Sequence, residues 1–190
     1  PFAHLDAKFR AEARYELKRL LQEFPVTTVY VTHDQVEAVA LAHRIIVMRE
    51  GKIEQSGSYH HLYESPINLF VATFIGAHPI NLFEGHVEHA HWYGKNFGGY
   101  SIRSDLDEHA KVTMGLRPEH IQPAENGVPC TVTLITPFFA ERYLLVEVQA
   151  NGEHWALKLP QDYDVHIGDT LQCAPNLDQI LYFDGVSGAR

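Results

Sequence analysis

Hydrophobic positions in the first part of the chain change from a helical to a strand-like period. Over residues 6–24 apolar side chains recur every three or four positions, which predicts an amphipathic helix that Pro25 ends. The run 26–31 holds only Val, Thr and Tyr and predicts a strand buried on both faces. Asp34 is placed to cap the helix that follows, and Glu37 stands three positions later, as in a capping box.

A second apolar strand is predicted over residues 44–48, and the turn at Gly51 leads into a short hairpin arm. Strand, helix and strand in this order predict a βαβ unit with parallel strands, with the hairpin arm as an antiparallel edge. Two short helices follow, one capped by Ser58 and one over residues 68–75. Residues 1–78 therefore carry an α/β pattern.

The pattern changes near His78 and Pro79. From about Asn81 to the end, short alternating apolar runs are separated by turn residues, without a convincing helix. Many short strands at such spacing are typical of a small barrel or a sandwich, so an all-β domain is predicted over residues 79–190.

Composition and charge exclude several classes of function. Of the 190 residues, 45% are hydrophobic and 21% charged, as in ordinary globular proteins. A formal net charge of −9 argues against nucleic acid as the main ligand, because binding to phosphates needs a basic face. No apolar run approaches the roughly 20 residues that span a bilayer, so any membrane role goes through a partner. Two cysteines, Cys130 and Cys173, are too few for a disulfide framework and predict a reducing, cytoplasmic setting.

The position of His33, between a predicted strand and the next helix, needs an explanation. In open parallel sheets, reactive groups lie beyond the carboxyl ends of strands, where helix N-termini meet anions. His33 is therefore placed to meet a phosphate. Taken alone, a histidine after a strand is more often a solvated loop residue. Alternation along a strand would put His89 and His91 on one face, as half a metal site, but an exposed polar edge is favoured and no metal site is predicted.

Several motifs in one order give the histidine its context. They are Thr32-His33-Asp34-Gln35 with Glu37-Ala38, Gly51-Lys52-Ile53-Glu54-Gln55-Ser56-Gly57, Tyr63-Glu64-Ser65-Pro66 and Phe70-Val71-Ala72-Thr73-Phe74-Ile75-Gly76. Together they closely resemble the switch-histidine region of ABC transporter ATPase subunits, in particular those of carbohydrate and glycerol-phosphate importers. Leu5-Asp6-Ala7 resembles the D-loop of that family. The stretch 115–120, reading G-L-R-P-E-H, resembles the signature of its C-terminal regulatory domain.

The resemblance implies a fold and a function. Residues 1–78 would be the C-terminal part of the nucleotide-binding domain, an α/β remnant. Residues 79–190 would be an all-β, OB-like regulatory barrel of the TOBE or MOP type. The intact subunit would couple ATP hydrolysis to uptake of a sugar or a glycerol-phosphate type solute.

Roles for individual residues follow from the resemblance. His33 would be both the catalytic switch histidine and a contact to the γ-phosphate of ATP. Asp6 would be the D-loop carboxylate, with helix capping as the alternative. Arg117, Pro118 and Glu119 would orient the barrel against the ATPase portion or a partner subunit, the alternative being a surface ion pair.

Missing motifs limit what the chain does alone. The sequence holds no G-x-x-x-x-G-K-[ST], and the Q-loop, L-S-G-G-Q signature and Walker B motifs of the family are missing as well. We therefore expect ATP and Mg²⁺ to bind the intact parent, whereas this chain alone binds neither and is inactive.

The expected partners are a second copy of the ATPase subunit, transmembrane permease subunits and a regulatory protein, but no nucleic acid. The expected location is the cytoplasm, peripheral on the inner face of the membrane. The alternative function is a non-catalytic dimerisation module that senses a small anion, a sugar or a regulatory protein.

Overall fold

The computed structural model describes residues 6–95, 97–102 and 107–190. The chain divides into two compact units, Pro1–Ile67 and Asn68–Arg190. Within the described ranges, no helix combines the length and the apolar character that crossing a membrane requires. The first unit contains α1 (Ala7–Glu23), α2 (Gln35–Leu41), β1 (Ile45–Arg49), β2 (Lys52–Gly57) and α3 (Tyr59–Glu64).

The helix predicted over residues 6–24 is confirmed as α1, and Phe24 is its C-cap one residue before Pro25. The hairpin at Gly51 is also confirmed. β1 and β2 pair antiparallel, and Glu50 and Gly51 have φ values of 51° and 77° in the turn between them. Two successive residues in the left-handed region are typical of the tight turns that match the twist of a hairpin.

The strand predicted over residues 26–31, and with it the parallel βαβ unit, is wrong for the described structure. This run forms no strand. Val29 and Val31 are 87% and 82% exposed, and β1 pairs only with β2, in a two-stranded antiparallel sheet. Composition predicts that a segment suits a sheet, but a strand also needs a neighbour to supply hydrogen bonds. No described strand supplies them here.

The second unit contains one helix, two short 3-10 turns and nine strands among its described residues. These are α4 (Leu69–Phe74), β3 (Asn81–Glu88), β4 (His91–Gly94), β5 (Gly98–Ser101), β6 (Lys111–Leu116), a 3-10 turn (Pro118–His120), β7 (Ile121–Phe138), β8 (Tyr143–Ala150), β9 (Glu153–Pro160), β10 (Thr170–Pro175), a 3-10 turn (Leu177–Gln179) and β11 (Leu181–Asp184).

The strands of this unit form two antiparallel sheets. One has five strands in the order β11-β6-β3-β4-β5, and the other has four in the order β10-β7-β8-β9. The β-rich character expected from residue 81 onward is therefore present. The described pairings leave both sheets open, and the closed barrel that the resemblance implies is not seen.

One hydrophobic core is shared by the two sheets. Along β8, Leu144, Val146 and Val148 are buried while the residues between them are more exposed, as the two-residue period of a strand requires. Phe83 of the five-stranded sheet meets Trp155 of the four-stranded sheet, with ring centroids 5.2 Å apart. This packing makes a sandwich-like layer arrangement.

Candidate functional site

His33 lies in a bend immediately before α2, and its side chain is exposed. The next residue, Asp34, is the N-cap of α2, as the sequence predicts. Its Oδ1 accepts hydrogen bonds from the backbone N–H groups of Val36, at 2.8 Å, and Glu37, at 3.4 Å. The carboxylate thus occupies the N–H groups that a bound anion would use.

The buried carboxylate of Glu37, which follows His33, accepts hydrogen bonds from two residues that precede His33. Glu37 is only 2% exposed, and its Oε2 accepts hydrogen bonds from Thr32 Oγ1, at 2.7 Å, and from Tyr30 Oη, at 3.0 Å. The hydroxyl of Thr32 in turn accepts the backbone N–H of Asp34 at 3.0 Å. The capping-box role predicted for Glu37 is therefore wrong, because Thr32 takes the Asp34 N–H and Glu37 supports Thr32.

The protonation states of this network follow from its hydrogen bonds. The bond from Thr32 holds the pKa of Glu37 below its usual value, although burial acts in the opposite direction. Burial, together with the bond to Glu37, raises the pKa of Tyr30 to about 12. Near neutral pH, Glu37 is therefore an ionised acceptor and Tyr30 a protonated donor. Arg14 of α1 adds a positive charge, with Nη1 4.0 Å from Asp34 Oδ2.

The turn around His33 presents an accessible imidazole on a fixed backbone. The backbone around His33 is fixed by four side chains, while its imidazole remains accessible to solvent. An exposed imidazole can donate a hydrogen bond to a phosphoryl oxygen or accept one from water. The geometry suits a group that positions a reactant, and sequence analysis found it through the T-H-D-Q-x-E spacing. The acceptor role of Glu37 was missed because a capping box gives the same spacing.

Asp6 caps α1: its Oδ1 accepts the backbone N–H of Phe9 at 3.0 Å. Among the described residues it takes no part in the hydrogen-bond network around His33. The capping alternative from the sequence thus describes what Asp6 does here.

Arg117 is buried, being 2% exposed, so the surface ion-pair alternative is wrong for its position. Its Nη1 donates to the backbone oxygens of Ala72, at 2.9 Å, and Ile75, at 2.6 Å. These carbonyls belong to the C-terminal end of α4, where helical partners are missing and a positive charge is favoured. Pro118, also buried, begins the following 3-10 turn, and Glu119 is half-buried within it.

Asn81 is a structural polar residue that sequence reasoning missed. It is 8% exposed, its Nδ2 donates to the carbonyls of Leu116, at 3.1 Å, and Ala156, at 2.9 Å, and its Oδ1 accepts the Ala156 N–H at 2.7 Å. It therefore joins the two sheets. One asparagine at a strand start carries no sequence signal for such a role.

The histidine cluster shows no metal-site geometry. His89 has a φ of 50° and lies in the turn between β3 and β4, so it does not alternate along a strand with His91. Within the part of the chain that the structure describes, no three His, Cys, Asp or Glu side chains are grouped as metal ligands.

Curated relatives match the whole chain, whereas no family model does. An uncharacterised ABC transporter ATP-binding protein, y4oS of Sinorhizobium fredii, is 38% identical over 195 residues, which cover 100% of this chain and 52% of the relative. The sn-glycerol-3-phosphate import ATP-binding proteins UgpC of Ruegeria pomeroyi and Escherichia coli K12 are 35% and 36% identical, again over 100% of this chain and over 54% and 55% of the relatives.

The chain thus spans about half the length of the curated relatives it matches, and this half is their C-terminal part. The order of motifs around His33 and the G-L-R-P-E-H stretch agree with that match. The chain belongs to the family of ABC transporter ATP-binding proteins.

Proposed function

We propose that the chain is the C-terminal part of an importer ATPase subunit that couples ATP hydrolysis to uptake of a sugar or a glycerol-phosphate type solute. The relatives named as sn-glycerol-3-phosphate import ATP-binding proteins support the solute class. The observation that carries the proposal is the exposed His33 imidazole on a turn fixed by Glu37 and Thr32.

His33 is the proposed switch histidine. Phosphoryl transfer depends on positioning and electrostatic stabilisation around the γ-phosphate more than on covalent chemistry by the protein. A solvent-facing imidazole on a fixed backbone suits this work, because it can hydrogen-bond a phosphoryl oxygen without displacing a packed side chain. ATP is the substrate of the intact subunit, with Mg²⁺ as its counter-ion, and this chain contributes one contact to it.

Asp6 is the proposed D-loop carboxylate, and in the intact subunit it would act at the interface with a second copy. Its observed cap bond uses Oδ1, and a side chain that caps a helix is held in one orientation.

Residues 1–78 are the proposed end of the nucleotide-binding domain, and residues 79–190 the proposed OB-like regulatory domain. Arg117 holds the end of α4 within the second unit, because its Nη1 donates to the carbonyls of Ala72 and Ile75 from the strand end that precedes Pro118. Within this proposal, Arg117, Pro118 and Glu119 set the position of α4 on the regulatory domain.

The proposed partners are a second copy of the subunit and transmembrane permease subunits, which would hold the soluble subunit at the inner face of the membrane. A regulatory protein is a further proposed partner of the regulatory domain, and nucleic acid is not. The alternative function is a non-catalytic module that dimerises and senses a small anion, a sugar or a regulatory protein.

A chimera tests the proposal. The 190 residues replace the matching part of the E. coli relative, and phosphate release is measured with ATP and Mg²⁺. The chimera should hydrolyse ATP, and His33→Ala should lower turnover by roughly 100-fold while nucleotide affinity stays within about 2-fold.

His43→Ala is the matched control, since His43 is also exposed and lies in the same unit. It should leave turnover unchanged. Normal turnover by the folded His33→Ala chimera would contradict the assignment. The 190-residue chain alone should release no phosphate. Phosphate release by it would contradict the proposal that hydrolysis needs the intact subunit.

A further inference from the structure

Two buried thiols lie on neighbouring strands in the core of the second unit. Cys130 of β7 and Cys173 of β10 are both 0% exposed, and both are free cysteines. Their strands are neighbours: Cys130 pairs with Leu171, and Cys173 follows two positions later, beyond a register shift. Cys130 Sγ donates to the Val128 carbonyl, at 3.2 Å, and Cys173 Sγ contacts the Leu171 carbonyl, at 4.0 Å. Neither cysteine has a role in the proposed hydrolysis of ATP.

The backbone around the pair is closely packed. Gly127 of β7 lies so near the Cys173 backbone that a Cβ at position 127 would be 2.5 Å from the Cys173 carbonyl oxygen. Gly127, Tyr100 and Cys173 also line one surface pocket, while the Cys173 side chain itself is buried. A small oxidant in this pocket would be next to the strand that carries Cys173.

We infer that Cys130 and Cys173 are a redox-sensitive dithiol site, which peroxide oxidants convert to an intramolecular disulfide between β7 and β10. Adjacent strands and burial in one core place the two cysteines near each other, which such a bond requires. The cytoplasmic setting predicted from the small number of cysteines is compatible with a pair that stays reduced until an oxidant reaches it.

The roles of the two sulfurs differ. The neighbouring Cys173 lowers the pKa of the Cys130 thiol, whereas the neighbouring Cys130, together with burial, raises the pKa of Cys173. Cys130 is therefore the first nucleophile, because the thiolate is the reactive form.

The reaction balances with hydrogen peroxide. The Cys130 thiolate attacks one peroxide oxygen, the O–O bond breaks, and the released hydroxide takes a proton to become water. The sulfur of Cys173 then attacks the resulting sulfenic acid. The S–S bond forms, the S–O bond breaks, and the second water leaves with the Cys173 proton. Two thiols are oxidised and one peroxide is reduced.

The test uses the full 190-residue chain, freed of reductant and treated with hydrogen peroxide while folded. It is then denatured and alkylated with N-ethylmaleimide, and its intact mass is measured. The monomer should lose two hydrogen atoms and take up no maleimide, and its Tm should rise by about 5 °C in a way that dithiothreitol reverses.

Two variants assign the roles. Cys173→Ala should leave a sulfenic acid on Cys130 that dimedone traps, whereas Cys130→Ala should leave Cys173 as a thiol. If either variant fails to fold, the wild-type mass measurement decides alone. Two alkylated thiols after oxidation, or a disulfide between two chains, would overturn the inference.

Discussion

A hydrogen bond of 2.7 Å from Thr32 Oγ1 to the buried carboxylate of Glu37 joins the residue before His33 to the helix after it. The same hydroxyl accepts the Asp34 N–H, so both neighbours of His33 belong to one network. A fixed backbone removes the entropic cost of ordering the turn when the His33 side chain binds a ligand.

Glu37→Ala should loosen the His33 turn. The change leaves the hydroxyls of Thr32 and Tyr30 without their acceptor, which costs about 1–3 kcal/mol in local opening. The amide hydrogen of Asp34 should therefore exchange with solvent on the order of 10-fold faster, as measured by NMR.

Val36→Ala is the control for this change, since Val36 lies in the same helix and is 60% exposed. It should leave the exchange rate at Asp34 within about 2-fold. An unchanged rate in a folded Glu37→Ala chain would show that the network does not hold the turn.

Protection of the same amide should depend on pH in the acid range. The folded-state pKa of Glu37 is below its ordinary value of 4.5, so its contribution to stability is present above that value and lost as pH falls through the folded pKa. The Asp34 protection factor should stay constant above about pH 4.5 and decline below it. In Glu37→Gln the decline should be absent, and a decline of equal size there would assign it to another group.

Sequence reasoning succeeded where local chemistry decides and failed where a distant partner decides. Asp34 is an N-cap because of its neighbours in sequence, and that role is readable. Residues 26–31 have strand composition, but no described strand pairs with them, and sequence alone does not show whether a partner is present. Arg117 and Asn81 donate to carbonyls that are tens of residues away in sequence. Local sequence patterns therefore do not predict these partners.

Arg117→Met should destabilise the second unit and release the end of α4. Methionine fills a similar volume but removes both hydrogen bonds to the Ala72 and Ile75 carbonyls, and bonds from a charged donor are worth about 1.5–3 kcal/mol each. We expect a Tm lower by roughly 10 °C and faster amide exchange in α4.

Arg142→Met makes the same change at an exposed position of the same unit, and it should shift the Tm by less than about 2 °C. Equal effects of the two substitutions would show that the buried bonds to α4 contribute no more than a surface side chain does.

The apolar run before His33 should drive self-association of the 190-residue chain. Val26, Val29 and Val31 are 67%, 87% and 82% exposed, and an exposed run of strand-forming residues offers unpaired backbone groups to another copy. Light scattering at several concentrations should show a dimer or a larger species.

Val29→Lys should raise the dissociation constant of this self-association by at least about 10-fold, because pairing would bury the lysine charge. Val186→Lys, at an 85% exposed position outside this run, should leave it unchanged. A wild-type chain that remains monomeric at all concentrations would contradict the prediction.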